Sequence, residues 1–405
     1  MKRVFFLNRY FFPDHSATSQ ILSQLAFHLA ASGRNIHVIT SQQIYDNADA
    51  RLPAQEIQQG VTIHRISGTH FGRSRLLSRG IDYLSFYWAA WRLLIATVDQ
   101  DDILVTMTDP PLLSILGMYV ARRNGVHLVN WLQDIYPEIA TELGVPLIKG
   151  PLNGLLSHIR NTSLHSADAN VVVGECMAEK VSKLGIPPDR IHVVSNWSDD
   201  EQITPIDAGN NLLRAKWKLE DKFVIGYSGN LGRAHEFDTL LAASERFKND
   251  SRIVFLFIGS GHRSAELARQ VKARGLTDRF LFLPYQDNDV LKYSLSVPDV
   301  HWISLRPELE GLIVPSKVYG IAAAGRPIIA ITAKNGEIAR LVETYHCGIV
   351  VEPGNSHELV KAISRLSNDA EGTAAMGRRA RAMLESQFTR RRAFERWEAV
   401  IDRGG

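Results

Sequence analysis

Residues 223–238 read FVIGYSGNLGRAHEFD. The stretch opens on Phe223–Ser228, an apolar run of strand length. It then turns through Gly229, Asn230, Leu231, Gly232, Arg233, Ala234 and His235, and a helix is expected from about Asp238. Gly229 and Gly232 would let a ligand come close to the backbone. The N-terminus of the helix favours negative charge, and Arg233 adds a fixed cation whose planar fork suits phosphate. A plain strand-to-helix connection needs none of these together, so the stretch reads as a phosphate-binding β–α turn.

The same alternation runs outward in both directions. Upstream, Val4–Leu7, Ile36–Thr40, Ile103–Thr106, His127–Leu132, Asn170–Val173 and Ile191–Val194 read as buried strands. Between the first two, Ser19–Ser32 carries apolar residues at helical spacing, with Gly33 placed to close the helix. Downstream, Ile253–Ile258, Phe280–Leu283, Val300–Ser304, Pro327–Ile331 and Gly348–Val351 continue a second strand series. Asn196–Asp207, polar and acidic with one proline, reads as the linker. The expected fold is α/β, with two doubly wound Rossmann-like domains facing across a cleft. The expected bounds are 1–200, 201–388 and a C-terminal helix, 389–405, packing back toward the first domain.

Composition agrees with this and excludes other classes. The chain has 405 residues, 45% hydrophobic and 22% charged, which suits two or three folded domains and not a disordered chain. Its two cysteines, Cys176 and Cys347, cannot build a disulfide framework, so a reducing compartment is expected. The N-terminal apolar run is only Val4–Phe6, so no signal peptide is expected, and no stretch is long enough to span a bilayer. Residues 1–204 hold 17 Lys+Arg against 19 Asp+Glu, a balance of −2; residues 205–405 hold 29 against 24, a balance of +5. The second half suits an anionic ligand, but neither half is basic enough for a nucleic-acid protein.

Several further stretches carry candidate chemistry. The loop Arg9–Ser19 follows the first strand where a dinucleotide-binding domain would place GxGxxG, and it contains no glycine. Its Ser16, Thr18 and Ser19 are expected to cap the next helix, whose N–H groups could hold an anion or a sugar hydroxyl. In Arg306–Pro327, Glu308 and Glu310 precede Gly311, Ser316 is placed as an N-cap, and Lys317 lies in the first helical turn. A cation there opposes the helix dipole, which an anionic ligand nearby would explain. Gly259, Ser260 and Gly261 form a tight turn after a strand. Asp287-Asn288-Asp289 has the look of a metal-binding triplet but is read as a helix cap, and Asp99, Asp101 and Asp102 as solvated loop charge. The 14 histidines show no metal-ligand spacing, and there is neither a GxSxG turn nor a P-loop. Arg73, Arg75 and Arg79, followed by Tyr83, Phe86, Tyr87, Trp88 and Trp91, suit anionic lipid headgroups, although the aromatics serve equally as helix core. The arginines of the last stretch, Arg378 to Arg392, read as a solvated helix face.

Taken in order, YFFPDHSATSQILSQLAFHLAASGRNIHVIT, VVVGECMAEKV, HVVSNWSDD, GYSGNLGRAHEFDTLL, FIGSG, LEGLIVPSKVYGIAAAGRPIIA and CGIVVEPG resemble the retaining glycosyltransferases of family 4, with the two-domain GT-B fold. NWLQDIYPE, GNLGRAH and PSKVYGIAAAGRP resemble most the members that build bacterial O-antigen, capsule or exopolysaccharide units, N-acetyl-L-fucosamine transferases among them. The resemblance implies a nucleotide-diphosphate sugar, of the UDP-sugar class, bound by the second domain. It also implies an acceptor on the first domain, a polyprenyl-diphosphate-linked glycan held at a membrane surface. The enzyme would be cytoplasmic, on the inner face of the plasma membrane, with neither cofactor nor metal.

On this reading Arg233 and Lys317 stabilise the leaving diphosphate, Glu310 orients the donor sugar, and Asp134 orients sugar or acceptor. Gly229, Asn230, Gly232, His235, Gly259, Ser260 and Gly261 would bind the donor, as would Tyr285, Glu308, Gly311, Leu312 and Ser316. Ser16, Ala17, Thr18 and Gln133 would meet the acceptor. The chain departs from the family pattern at four places. The phosphate loop's usual arginine and lysine fall on Asn230 and His235, the second glutamate of a Glu-x7-Glu motif falls on Gly320, and the acceptor-side histidine falls on Gln133. An epimerase of UDP-N-acetylglucosamine shares this architecture, and a catalytically silent nucleotide-binding subunit would explain Gly320. Both remain alternatives at this point.

Overall fold

A computed structural model of the chain describes residues 2–44, 51–69, 71, 76–145 and 150–403. It divides into two units, Met1–Ser195 with Phe394–Gly405, and Asn196–Ala393.

The first unit is built on a sheet of β1 (Arg3–Leu7), β2 (Asn35–Ser41), β3 (Gln55–Gln58), β4 (Val61–Ile66), β5 (Ile103–Thr106), β6 (His127–Leu132), β7 (Ala169–Val172) and β8 (Ile191–Val193). Their order is β3-β4-β2-β1-β5-β6-β7-β8, and every pairing is parallel except β3 with β4. β5 and β7 are buried along their whole length, the condition that makes parallel strands read as unbroken apolar runs. β3 and β4 escape the sequence reading for the opposite reason. QEIQ has one apolar residue, and its Ile57 is 72% exposed, while VTIHRI alternates. They are joined at Gln59 (φ 48°) and Gly60 (φ 81°), the left-handed pair that a two-residue hairpin requires.

The second unit holds β9 (Phe223–Ser228), β10 (Ile253–Ile258), β11 (Phe280–Leu283), β12 (Val300–Ser304), β13 (Ile328–Ile331) and β14 (Gly348–Val351), all parallel, in the order β11-β10-β9-β12-β13-β14. Tyr227 stacks on Phe257 with ring centroids 4.7 Å apart and tilts against Trp302, so the core reaches the ends of β9 and β12. In both sheets the chain order reverses between two central strands, β1 and β5 in the first unit, β9 and β12 in the second. Ligands of open α/β sheets bind at the carboxyl ends of such strands.

Four expectations are corrected. The units part at Ser195/Asn196, and the returning segment starts at Phe394, so the bounds shift by about five residues at each junction. Asp102 is not solvated: it is 4% exposed and accepts hydrogen bonds from Arg3 Nε (3.1 Å) and the Asp99 N–H (2.8 Å). Arg381 is no free surface charge. Its guanidinium donates to the carbonyls of Asp200 (3.1 Å), Ile203 (3.0 Å) and Ala323 (2.9 Å), which fastens the linker to the second unit. Asp287 stands before the short 3-10 turn Asn288–Val290, but its side chain makes no capping bond there. The last helix, Arg390–Arg403, ends within the first unit, where Trp397 packs on Trp131 (4.4 Å) and Phe394 stacks on His28 (4.4 Å).

Candidate active site

At the switch point of the second unit three loops leave β9, β10 and β12 and lock together through their backbones. Gly229 N–H donates to the Ile258 carbonyl (2.8 Å), Leu231 N–H to Ser260 (2.8 Å), and Arg306 N–H to Ala234 (3.0 Å). The glycines serve this packing. Gly229 (φ +124°) leaves room for the stem of Lys317, whose Cε would lie 2.8 Å from an added Cβ. Gly259 (φ +131°) and Gly261 (φ +141°) lie against the backbones of Gly229 and Leu231, where an added methyl group would collide. Only Gly232, of the four in these two loops, borders open space. The close approach expected of a ligand at Gly229 is therefore made by the protein's own chain.

The chemistry at this point centres on Lys317. Its stem crosses Gly229, its Nζ lies 5.3 Å from the Tyr227 ring centroid and 3.3 Å from His235 Nε2. His235 is buried, and its Nδ1 is 2.7 Å from the Ser304 carbonyl. A carbonyl can only accept, so Nδ1 carries the proton and Nε2 presents a lone pair to the ammonium. Burial, followed by the neighbouring Lys317 charge, lowers the imidazole pKa to about 3, which keeps it neutral. Burial likewise lowers Lys317 to about 8. Among the described residues no carboxylate lies within ion-pair distance of Lys317, so its charge is left for something else.

Arg233 stands apart from this pair. It is exposed, with Nη2 3.2 Å from His262 Nε2. The packed cation of the neighbourhood is Arg263, which the sequence did not single out. It lies 4.1 Å over the Phe237 ring, donates to the His235 carbonyl (2.9 Å) and pairs with Glu266 (3.0 Å). The helices expected to aim their N-termini at an anion, Asp238–Ser244 and Lys317–Ala323, are only seven residues each, and Asp238 already puts a carboxylate in the first turn of one. Ser316 stands at the N-cap of the other but makes no side-chain cap.

In the first unit the switch point carries Arg9 after β1, Asp109 after β5 and Asp134 after β6. Arg9 donates its N–H to the Asp109 carbonyl (2.7 Å), and its guanidinium lies 5.2 Å from the Tyr83 ring centroid. Burial first, then the Asp109 charge, raises the Asp134 carboxyl to about 7. Ahead of helix Ala17–Ala31 it is Asp14, and not a hydroxyl, that turns the chain: its Oδ1 accepts the Ser16 N–H (2.7 Å), and its carbonyl accepts the Ser19 hydroxyl (3.0 Å). Ser16 Oγ is buried and has no hydrogen-bond partner among the described residues, Ala17 is exposed, Thr18 is half-buried and Gln133 is buried. Arg9 and Asp109 went unremarked in the sequence because they sit in different loops, 100 positions apart, that only the sheet order unites.

Two family models match the chain side by side, a glycosyl transferase 4-like domain over residues 17–197 and glycosyl transferases group 1 over residues 210–383. The chain is a family 4 glycosyltransferase. The probable glycosyltransferase WbjE of Pseudomonas aeruginosa is 26% identical over 334 residues, 81% of each chain. The putative colanic acid biosynthesis glycosyl transferase WcaI of Escherichia coli is 25% identical over 365 residues, 87% of this chain and 88% of its own. In three dimensions the chain is similar to HepE of Anabaena, solved in complex with UDP, with a TM-score of 0.75 at 16% identity over the whole of both chains. That likeness shows the GT-B fold.

The remaining candidates can be placed on this glycosyltransferase. Counted back from Gly320, the first glutamate of a Glu-x7-Glu motif falls on Leu312, which is 1% exposed, and not on Glu310. The Glu310 carboxylate is bonded to the Thr332 hydroxyl and to the Glu337 N–H (3.2 Å), at the start of helix Glu337–Tyr345. Burial raises its pKa while those two bonds oppose the rise. An added Cβ at Gly320 would meet only Leu295 (3.7 Å) and Ser198 (3.9 Å) at ordinary contact distance, so packing does not demand glycine there. Glu308 is exposed and lies 3.6 Å from Arg306, Gly311 is buried at φ +70°, and Tyr285 and Ser260 are exposed. Asn230 is tied in by its carbonyl, which accepts the Tyr227 hydroxyl (2.7 Å). Arg73 and Arg75 lie outside the described residues, as does the side chain of Arg79. Among the described residues no group of three His, Cys, Asp or Glu could hold a metal ion, and no helix is long and apolar enough to cross a membrane.

Proposed function

We propose that the chain transfers a sugar from a nucleoside-diphosphate donor, of the UDP-sugar class, to a lipid-linked glycan in the synthesis of a bacterial surface polysaccharide. Configuration is retained, and no metal takes part. The observation that carries the reading is the Lys317 ammonium, half-buried at the switch point of the second unit without a carboxylate partner among the described residues. WcaI, by its name, works in colanic acid biosynthesis, and the HepE structure holds UDP; both support the assignment of pathway class and donor.

As the glycosyl–phosphate bond breaks, its electron pair and the growing negative charge go to the diphosphate. A preorganised cation at that place lowers the barrier without a metal. Lys317 supplies it, with Arg233 as a second cation from the neighbouring loop. The acceptor hydroxyl attacks from the face the leaving group vacates, and its proton passes to a phosphate oxygen of the donor. On the first unit, Asp134 can donate or accept near neutral pH. A membrane-bound acceptor fits helix Leu76–Thr97, where Ile81, Leu84 and Trp88 are exposed at helical spacing along one face.

The test mixes the protein with radiolabelled UDP-sugars and a bacterial membrane extract, with and without EDTA. Label entering the lipid fraction in both conditions is expected. Label that changes sugar identity without moving would make the chain an epimerase; complete loss with EDTA, restored by magnesium or manganese, would refute the metal-free mechanism.

A further inference from the structure

We propose that His235 is the positioning residue of Lys317: its imidazole accepts one ammonium N–H and so aims the other two at the donor diphosphate. The inference rests on the reading of Lys317 as the diphosphate contact. Lysine is a flexible four-carbon stem, and holding its ammonium in one place costs rotamer entropy unless neighbours fix it beforehand. Three neighbours do so here: Gly229 under the stem, the Tyr227 ring 5.3 Å from Nζ, and His235 Nε2 at 3.3 Å.

Of the three, only His235 fixes direction. Its own ring cannot turn freely, because Nδ1 donates to the Ser304 carbonyl at the end of β12 (2.7 Å), and its backbone is held as well, the carbonyl accepting from Arg263 (2.9 Å). An ammonium has three N–H bonds, and the lone pair of Nε2 takes one. A carboxylate at this place would hold the lysine equally well but would neutralise the charge that the diphosphate needs. A neutral imidazole holds it and leaves the full positive charge. The 3.3 Å separation carries a second consequence: an ammonium borne by residue 235 itself would fall close to where Lys317 now puts its own.

Titration calorimetry of the full chain with UDP and GDP, and with uridine and guanosine as phosphate-free controls, tests this. Lys317→Met is expected to lower diphosphate affinity about 10- to 100-fold, as for a lost charge-assisted hydrogen bond, and to leave nucleoside affinity unchanged. His235→Leu should lower diphosphate affinity about tenfold, again without change for the nucleosides. His235→Gln, whose amide oxygen can still accept, should recover most of that loss. The double variant His235→Lys/Lys317→Met should bind UDP or GDP more tightly than Lys317→Met alone. If Lys317→Met weakens the diphosphate while His235→Leu does not, the role of His235 is overturned and the reading of Lys317 stands. Equal loss of nucleoside and diphosphate in His235→Leu, with no recovery in His235→Gln, would mean that His235 only shapes the loop. Unchanged diphosphate binding in Lys317→Met overturns the reading of the site and the inference with it.

Discussion

Lys317→Met should make the free enzyme more stable while it disables the site. The Lys317 pKa falls from 10.5 to about 8 on folding because burial strips water from its charge. At about 1.4 kcal/mol per tenfold change in proton affinity, that difference is a ceiling of about 3 kcal/mol of destabilisation wherever both folded and unfolded chains carry the proton, below about pH 8. Between about pH 8 and 10.5 the unfolded chain binds more protons than the folded one, so wild-type stability rises with pH. A methionine has no charge to desolvate and fills much the same volume. Its advantage should therefore approach about 3 kcal/mol near pH 7 and shrink to about 1 kcal/mol near pH 9.5. Urea unfolding at the two pH values, followed through the buried Trp302 of the second unit, measures the gap. Turnover of the same variant should drop about 10²- to 10³-fold, as when one charge-stabilising group is removed. A Lys317→Met protein less stable than wild type at pH 7, or a gap that does not change with pH, would show that the ammonium is not held at a desolvation cost.

The remaining predictions concern neighbouring parts of the molecule. Gly259→Ala and Gly261→Ala, each with a left-handed φ and a neighbouring backbone in contact, should lose about 2–4 kcal/mol in urea unfolding, and Gly232→Ala should lose little. Equal loss at all three would show that the loops are not interlocked. Asp134 has a carboxyl raised to about 7, so the folded chain binds more protons than the unfolded one between pH 3.8 and 7, and stability falls as pH rises through that window. Asp134→Asn should therefore raise Tm most near pH 8 and lose the advantage as pH falls toward 3.8; a constant difference argues against the burial effect. Leu84→Glu/Trp88→Glu, and separately Arg73/Arg75/Arg79→Glu, should reduce co-sedimentation with anionic vesicles at low salt. Wild-type binding by both would reject the helix Leu76–Thr97 as a docking face.

What the sequence made legible follows from what is local in it. Ile253–Ile258 was readable to the residue because it is buried along its whole length and its apolar run has sharp ends, and the edge strand Phe280–Leu283 because all four of its residues are apolar although Phe282 is exposed. β3 was invisible because an exposed edge strand needs no apolar run. Lys317 could be found because a cation in the first turn of a helix is out of place. That it meets His235, 82 positions earlier, could not be found, since only the order of β9 and β12 brings the two loops together. The glycines of the first loop announced a close approach, but not what approaches; Gly229 and Gly259 serve loop-on-loop packing. Arg381 looked like surface charge because its spacing shows only the i,i+4 pair with Glu385, while the carbonyls of Asp200, Ile203 and Ala323 that hold the rest of its guanidinium carry no signature in side-chain spacing.

The return of the chain at Phe394 has a consequence for synthesis and for recombination. Trp131 lies in the core of the first unit, and part of its packing is Trp397, which follows the whole of the second unit in the chain. The first unit therefore cannot complete its core when its first 195 residues emerge, although the second can close once Ala393 is out. A chimaera that exchanges the second unit between relatives needs two crossovers, one at Ser195/Asn196 and one at Ala393/Phe394. A single crossover would join the helix of one parent to the tryptophan, histidine and arginine partners of the other: Trp131, His28, and the Arg34 that pairs with Asp402 at 2.8 Å.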